Sequence, residues 1–383
     1  INSYSGREKP VHKVHSEVGR YRRFKEQYPE LKIGVGGCVA QQEKARLLTD
    51  IPLLDFVFGT DSIDDLPDIV TASFEKDQRL VKTRFEHQKP YQIQTLVRNP
   101  GVSTFVNITK GCDNFCTFCV VPFTRGRERS RALSELVSDV QSLVKRGVKE
   151  VTLLGQNVNS YKSACGASFA DLLRTLAEAT DIERIRYTTS HPKDFDRELC
   201  DIMQKYRAKI CDYIHLPVQS GNSEVLARMN RGYSREEYLE KVKMIKELIP
   251  GVSLSTDIIV GFPGETHEQF MDTCSLLDEV GYETLFAFKY SPRPFTKAAQ
   301  YEDQVPESEK STRLNTLFTR HNERAFPLAK KYEGQVLEVL VESYKAEEGR
   351  ASGRSTQNKL VHFPTSENLI GSTVSVKINE AFP

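Results

Sequence analysis

The sequence predicts an α/β protein built around a partial, open (β/α)6 barrel. A smaller α/β domain, read as cut off on its N-terminal side, precedes the barrel, and a small all-β module follows it. Three observations carry this reading. From Phe105 onward, six β-branched and aromatic runs alternate with helix-period stretches, at the roughly 30–45-residue spacing of one strand–helix unit. Before them, one charged helical stretch and two apolar runs repeat the α/β pattern on a smaller scale. After about residue 326 the texture changes to two-residue alternation, as in Gln335–Glu342. The expected domains are therefore residues 1–95, 96–325 and 326–383.

In order, the first domain should hold a helix over Lys9–Gln27 and strands over Leu31–Gly36 and Leu54–Phe58. Residues 79–104, polar and containing Pro90 and Pro100, read as a linker. The barrel strands should be Phe105–Thr109, Val151–Gly155, Ile185–Thr189, Tyr213–Val218, Leu254–Val260 and Thr284–Lys289. Helices should cover Ala132–Lys145, Phe169–Ala179, Arg197–Tyr206, Arg235–Leu248 and Glu268–Val280. In the first of these, Leu133, Leu136, Val137, Val140, Leu143 and Val144 share one face. Repeated strand–helix alternation implies parallel strands with helical crossovers. Six units are too few for a closed eightfold barrel, so functional loops are expected at the carboxyl ends of an open one. In the last domain, Gly349 to Gly353 reads as a turn, with Leu360–Phe363 and Thr373–Ile378 as strands.

Composition narrows the function classes. Lys and Arg number 53 against 52 Asp and Glu, a net charge of +1, so a nucleic-acid site must be local. No apolar run reaches the roughly 18–20 residues that cross a bilayer, and no membrane association is expected. Eight cysteines in 383 residues read as thiolates kept reduced in a cytoplasmic setting rather than as a disulfide framework. Cys165, Cys200, Cys211 and Cys274 are scattered and read as structural.

Three thiols are not scattered. Cys112, Cys116 and Cys119 lie within eight residues, directly after the first barrel strand, so all can converge on one metal centre. Buried cysteines that merely fill space are not expected so close together on a loop. A closed zinc site wants four ligands and would need His191 or His215 to complete it. An iron–sulfur cubane normally takes four cysteines. Held by three, it leaves one iron open for a small molecule.

The spacing CxxxCxxC after the first strand of a partial barrel resembles the radical S-adenosylmethionine superfamily, and the barrel is then of radical SAM type. The surrounding run Ile108-Thr-Lys-Gly-Cys-Asp-Asn-Phe-Cys-Thr-Phe-Cys-Val-Val-Pro-Phe-Thr-Arg-Gly-Arg-Glu-Arg-Ser-Arg131 is similar to the methylthiotransferases, most closely those acting on isopentenyl-adenosine in tRNA. Leu153–Tyr161, Thr188–Pro192, His215–Gly221, Met229–Arg231, Ile259–Glu265 and Lys289–Arg293 continue the likeness along nearly the whole chain. The likeness extends to a final β module like the RNA-binding TRAM domain. The resemblance implies an enzyme that places a methylthio group on carbon 2 of the adenine next to the anticodon. It implies S-adenosylmethionine, two [4Fe–4S] clusters and an electron donor such as a flavodoxin-type protein, in a monomer. Cys112, Cys116 and Cys119 would ligate the radical cluster and Cys38 one corner of an auxiliary cluster. At Asn2–Glu8 the family's second auxiliary cysteine is replaced by Tyr4, and the first motif would precede residue 1. A lone thiolate does not hold a cubane.

Other candidates carry two readings each. Gln156, Asn157, Ser190, His191, Gln219 and Ser220 follow strands two, three and four, where barrel sites bind cofactors, or they cap the next helices. Arg231 could pair with a carboxylate or end a helix. Gly261 and Gly264 permit close approach to adenine or make a turn. Arg125, Arg127, Arg129 and Arg131 form a basic rim or a solvated helix start, with Arg125 and Arg127 the RNA-binding candidates. In the last module, Arg350, Arg354 and Lys359 are the expected phosphate contacts. Competing functions are a methylthiotransferase acting on threonylcarbamoyl-adenosine or on a ribosomal protein, and a tRNA-binding protein without sulfur insertion. A colourless zinc-dependent nucleic-acid-binding protein is the third.

Overall fold

The computed structural model describes residues 1–3, 9–75, 78–85, 91, 95 and 97–382, so Tyr4 lies outside the described residues. These residues form two compact units. One comprises Ile1–Pro90, Lys110–Glu128 and Ser291–Gln300; the other comprises Tyr91–Thr109, Arg129–Tyr290 and Tyr301–Pro383.

In the first unit, Asn2–Ser3, Gly34–Gly37, Phe56–Phe58 and Leu80–Lys82 pair in that order as a parallel sheet. Val35 and Val57 face a core with Val14, Val18, Val39 and Leu47. On the opposite face Phe56 and Phe58 pack with Ile69. Their rings lie over Gly34 and Gly36, where an added Cβ would stand 2.0 Å and 2.2 Å from ring carbons. The strand therefore reads Gly-Val-Gly-Gly. The helix expected over Lys9–Gln27 is two helices, Lys9–Arg20 and Arg22–Gln27, meeting at Tyr21. None of the residues in the second helix is buried, so no apolar face holds it in line with the first. Instead Lys25 reaches the Leu53 carbonyl at 3.1 Å and pairs with Asp55. The stretch read as a linker contains the strand Leu80–Lys82.

The second unit contains the six expected strands, which we call β1 (Ser103–Asn107), β2 (Glu150–Leu154), β3 (Arg184–Tyr187), β4 (Tyr213–His215), β5 (Ser253–Val260) and β6 (Thr284–Lys289). β1–β2–β3 and β4–β5–β6 are parallel sheets, and a parallel bridge between Ile185 and Ile210 joins them. Between successive strands run α1 (Leu133–Lys145), α2 (Phe169–Ala179), α3 (Arg197–Lys205), α4 (Arg235–Leu248) and α5 (His267–Val280). Their buried stripes, such as Leu136, Val140 and Leu143 of α1, enter one continuous core with Val106, Val151, Ile185 and Ile214. Burying each such side chain is worth about 1.5–3 kcal/mol. Ser168, Ser234 and Thr266 start α2, α4 and α5 with complete capping boxes.

A 24-residue helix, α6 (Glu307–Lys330), follows β6. The expected boundary at 326 falls inside it. α6 carries only five buried residues, two of them Lys310 and Arg313, so no apolar stripe announces it. Ion pairs hold it instead, with Arg320 2.5 Å from Asp278 and Arg313 2.6 Å from Glu265.

The final module is an antiparallel sheet in the order Leu360–Pro364, Arg350–Ser355, Val336–Lys345, Thr373–Lys377. The turn expected over Gly349–Gly353 shrinks to Gly349, which alone adopts a left-handed φ of 57°. Gly353 is within the strand, where a Cβ would stand 1.9 Å from the Leu340 carbonyl oxygen. This module docks on the amino-terminal ends of the barrel strands. Arg184 donates to the carbonyls of Arg354 and Glu338 at 2.7 and 3.0 Å, and Arg186 to those of Ser355 and Thr356 at 2.6 and 3.1 Å. Glu283, just before β6, accepts from Tyr332 at 2.9 Å and pairs with Lys331 and Lys359. Burial works to raise the Glu283 carboxyl, but the two lysines hold it below the ordinary glutamate range.

Candidate cluster-binding loop and barrel mouth

The three clustered thiols share one clamped loop in the first unit. Gly111 begins it at a φ of +81°, and a Cβ there would stand 2.1 Å from the Arg127 carbonyl oxygen, so only glycine closes the loop. The Cys112 N–H donates to Gly126 at 3.2 Å and the Cys119 N–H to Cys116 at 3.0 Å. Phe115 sits at a left-handed φ of 46°, a cost that surrounding structure must over-determine. That structure is present. Lys110 donates to the Thr60 carbonyl at 2.6 Å and pairs with Asp61. The Thr60 hydroxyl donates to Thr124 at 2.9 Å, and the Ala298 N–H donates to Thr117 at 2.9 Å. Cys112 and Cys116 are buried and Cys119 half-buried, and none of the eight cysteines forms a disulfide.

Among the described residues, no three His, Cys, Asp or Glu side chains are gathered as around a metal ion. The donor set nevertheless fits a three-thiolate group. Its thiols lie on one loop whose backbone is fixed from three segments, and soft thiolate donors select iron–sulfur centres. Cys38, 2% exposed, opens the helix Cys38–Glu43, which packs on Val121–Arg125. It is the one cysteine between residues 1 and 95. A single thiol does not fit a second cubane.

Of the basic candidates, Arg125 ends the helix Val121–Arg125 half-buried. Arg127 pairs with Asp113 at 3.0 Å and lies 5.1 Å from the Phe115 ring centre. Arg131 departs from the basic-rim reading. It is 2% exposed and bonds Asp139 at 2.9 Å, fixing the barrel wall.

In the second unit the mouth residues divide. Asn157 is engaged at both ends, donating to Asp194 at 2.6 Å and accepting from the His191 N–H at 3.1 Å. Ser220 is fully buried and accepts the Asn222 N–H at 3.3 Å. Both are thus engaged within the loops of the mouth, while Ser168 and Asn222 are the residues that cap the helices that follow. Gln156 follows β2 half-buried. Thr189 and Gln219 hold left-handed φ values of 72° and 76° in the loops that follow β3 and β4, uncommon for residues with a Cβ and strained for a β-branched one. Next to Thr189, the Ser190 hydroxyl and His191 Nε2 are buried with no hydrogen-bond partner among the described residues. The Lys193 N–H donates to His191 Nδ1 at 3.3 Å, which leaves the proton on Nε2 as an unused donor. Burial, then Arg231 and Lys193, lower the His191 pKa to about 2. The imidazole is therefore neutral.

Arg231, 5% exposed, donates to Tyr233 at 2.9 Å and to the Pro217 carbonyl at 2.8 Å. Gly261 turns at a φ of +68°, and its N–H donates to Glu265 at 2.6 Å. Glu265, the last residue of the Ile259–Glu265 stretch, pairs with Arg313 to organise this turn, a partnership across 48 residues that no local motif shows. In the β module, Arg350 pairs with Glu348 at 2.6 Å and Arg354 lies 3.8 Å from Glu342. Lys359, expected at RNA phosphates, is committed 2.7 Å from Glu283 in the dock.

Residues 106–277 match the Radical SAM superfamily, 330–383 the TRAM domain, and 1–59 an uncharacterized protein family, UPF0004. A tRNA-2-methylthio-N(6)-dimethylallyladenosine synthase of Bdellovibrio bacteriovorus is 63% identical over 383 residues, covering 100% of this chain and 84% of that protein. The chain belongs to the tRNA-2-methylthio-N(6)-dimethylallyladenosine synthase family. Its member from Carboxydothermus hydrogenoformans is 45% identical, covering 99% of this chain and 87% of that one. Among solved structures, the radical S-adenosylmethionine methyltransferase TsrM of Kitasatospora setae overlays with a TM-score of 0.58 at 16% identity. That match covers 88% of this chain and 64% of that one, and it shows a shared fold. The family and the fold make this chain an S-adenosylmethionine-dependent iron–sulfur enzyme.

Proposed function

We propose that this chain places a methylthio group on carbon 2 of isopentenyl-adenosine next to the anticodon of tRNA. The observation that carries the reading is the clamped loop bearing Cys112, Cys116 and Cys119, within a stretch, residues 106–277, that matches the Radical SAM superfamily. An aromatic C–H has no acidity that an ordinary base can use at neutral pH, so the chemistry needs a cofactor. When bound to three thiolates, a [4Fe–4S] cluster supplies one electron and an open iron for S-adenosylmethionine. The chain's own residues then position and enclose. Ser190 and His191 offer a hydroxyl and a neutral N–H donor. Gln156, Gln219, Arg231 and Gly261 stand at the carboxyl ends of the strands, where they can contact the cofactor. Arg125, Arg127, Arg350 and Arg354 are assigned to RNA phosphates. Cys38 would supply one ligand of an auxiliary cluster.

The electron donor assigned is a flavodoxin-type protein, and the enzyme acts as a cytoplasmic monomer. Support for the compartment is that none of the eight cysteines pairs and that no helix among the described residues is long and apolar enough to cross a membrane.

The test is anaerobic reconstitution with iron and sulfide, followed by incubation with reductant, S-adenosylmethionine, added sulfide as the sulfur source and isopentenylated tRNA. Iron held by the three thiolates, 5′-deoxyadenosine and a 2-methylthio nucleoside are expected, with about eight irons per chain marking two cubanes and about four marking one. Cys116→Ala should lose the iron of the three-thiolate cluster and both products. A methylthio group found on threonylcarbamoyl-adenosine or on a ribosomal protein instead would overturn the substrate. A colourless zinc protein would overturn the chemistry.

A further inference from the structure

Lys310 has a buried stem, and neither the fold nor the family comparison gives the residue a role. It lies in the first turn of α6 and is 6% exposed. Its stem crosses Gly261, immediately beyond β5, where an added Cβ would stand 2.4 Å from Lys310 Cγ. Its Nζ is 5.4 Å from the ring centre of Tyr290, immediately beyond β6. Among the described residues, no carboxylate lies within ion-pairing distance of Nζ and no acceptor bonds to it. The surrounding acids are matched elsewhere. Glu265 holds Arg313 and the Gly261 N–H, Glu309 also holds Arg313, Glu307 pairs with Lys289, and Asp303 lies 2.7 Å from Arg228.

The stem is buried against Gly261 while Nζ keeps contact with the water at the barrel mouth, as long cationic side chains commonly do. A cation in the first helical turn opposes the macrodipole. A leucine or methionine would fill the space taken by the stem equally well, so packing alone does not call for the charge. What remains is a positive charge with no hydrogen-bonded partner, felt at longer range by Glu307, at the carboxyl ends of β5 and β6, on the face where barrels bind their ligands.

We propose that Lys310 binds a single oxyanion of a molecule held at the barrel mouth. The oxyanion is the carboxylate of S-adenosylmethionine or a phosphate of the RNA, and one ammonium suits either as a point charge. This rests on the function proposed above. It implies that Gly261 lacks a side chain in order to let the lysine pass, with the turn built around that passage.

The experiment measures binding of S-adenosylhomocysteine, of its decarboxylated analogue and of an isopentenylated anticodon stem-loop RNA. The proteins are the reconstituted parent, Lys310→Met and Lys310→Arg. If the carboxylate is the partner, Lys310→Met should weaken S-adenosylhomocysteine about tenfold or more and leave the decarboxylated analogue unchanged. If a phosphate is the partner, RNA binding should weaken similarly and its salt dependence should fall by about one charge. Lys310→Arg should restore part of whichever is lost. Both affinities staying within twofold, in a Lys310→Met variant that melts at or above the parent temperature, would overturn the proposal. A parent that binds neither ligand would instead overturn the function on which it rests.

Discussion

His191 is neutral because the fold refuses it a proton. Its folded pKa, about 2, lies below the ordinary 6.5. The unfolded chain therefore takes up a proton at this position as pH falls through 6.5, while the folded chain does not. Stability attached to this residue is complete above that value and drains away below it, by up to about 1.4 kcal/mol for each pH unit. His191→Gln should consequently flatten the parent's decline in urea midpoint between pH 6.5 and 5 by about one proton. Parallel parent and variant curves over that range would show that the imidazole is protonated in the folded state. The sequence placed His191 and Ser190 beyond β3. It could not show that one ring nitrogen would be filled by Lys193 and the other left unused, because that depends on how the turn closes.

At the scale of elements, α6 is held to the barrel chiefly by charge. Arg313 is the partner that makes the buried Glu265 tolerable, and both side chains are nearly inaccessible to water, at 4% and 1%. Removing the guanidinium leaves a buried carboxylate whose burial already pushes it up. Arg313→Ala should therefore cost about 3–5 kcal/mol, read as a lowered urea midpoint, with Glu265→Gln in the same chain recovering part of it. No recovery would mean that the arginine acts through packing alone. The same chemistry explains what could be read in advance. Strands β1 to β6 and helices α1 to α5 were legible because each repeats an apolar period against one core. α6 was not, because its contacts are paired charges between positions far apart in sequence. The three cluster thiols were legible because they are local. Lys310 was not, because it matters only where it crosses Gly261.

For the second unit as a whole, Arg184 and Arg186 decide whether barrel and β module move together. Four donor contacts to carbonyls, each worth about 1.5–3 kcal/mol when the donor is charged, make the module part of the barrel floor. Arg184→Ala with Arg186→Ala should raise hydrogen exchange in Arg350–Ser355. The double variant should also raise the KM for tRNA several-fold, while 5′-deoxyadenosine formed without RNA stays at the parent rate. Unchanged exchange with an unchanged KM would assign the two arginines to barrel stability alone. In sequence they look like ordinary surface charges on a strand; only the fold turns both toward another chain segment.

That floor has a consequence for the shape of the partner. β2 is five residues long, and at about 3.3 Å per residue the wall it forms is roughly 17 Å tall. A molecule that reaches the open rim and the β sheet beneath the opposite end must bridge at least that height along the outside of the wall. A lone nucleoside is too short for this, whereas a hairpin stem is a stiff rod of suitable reach. Substrate length, and not base identity alone, is then a quantity the architecture can measure.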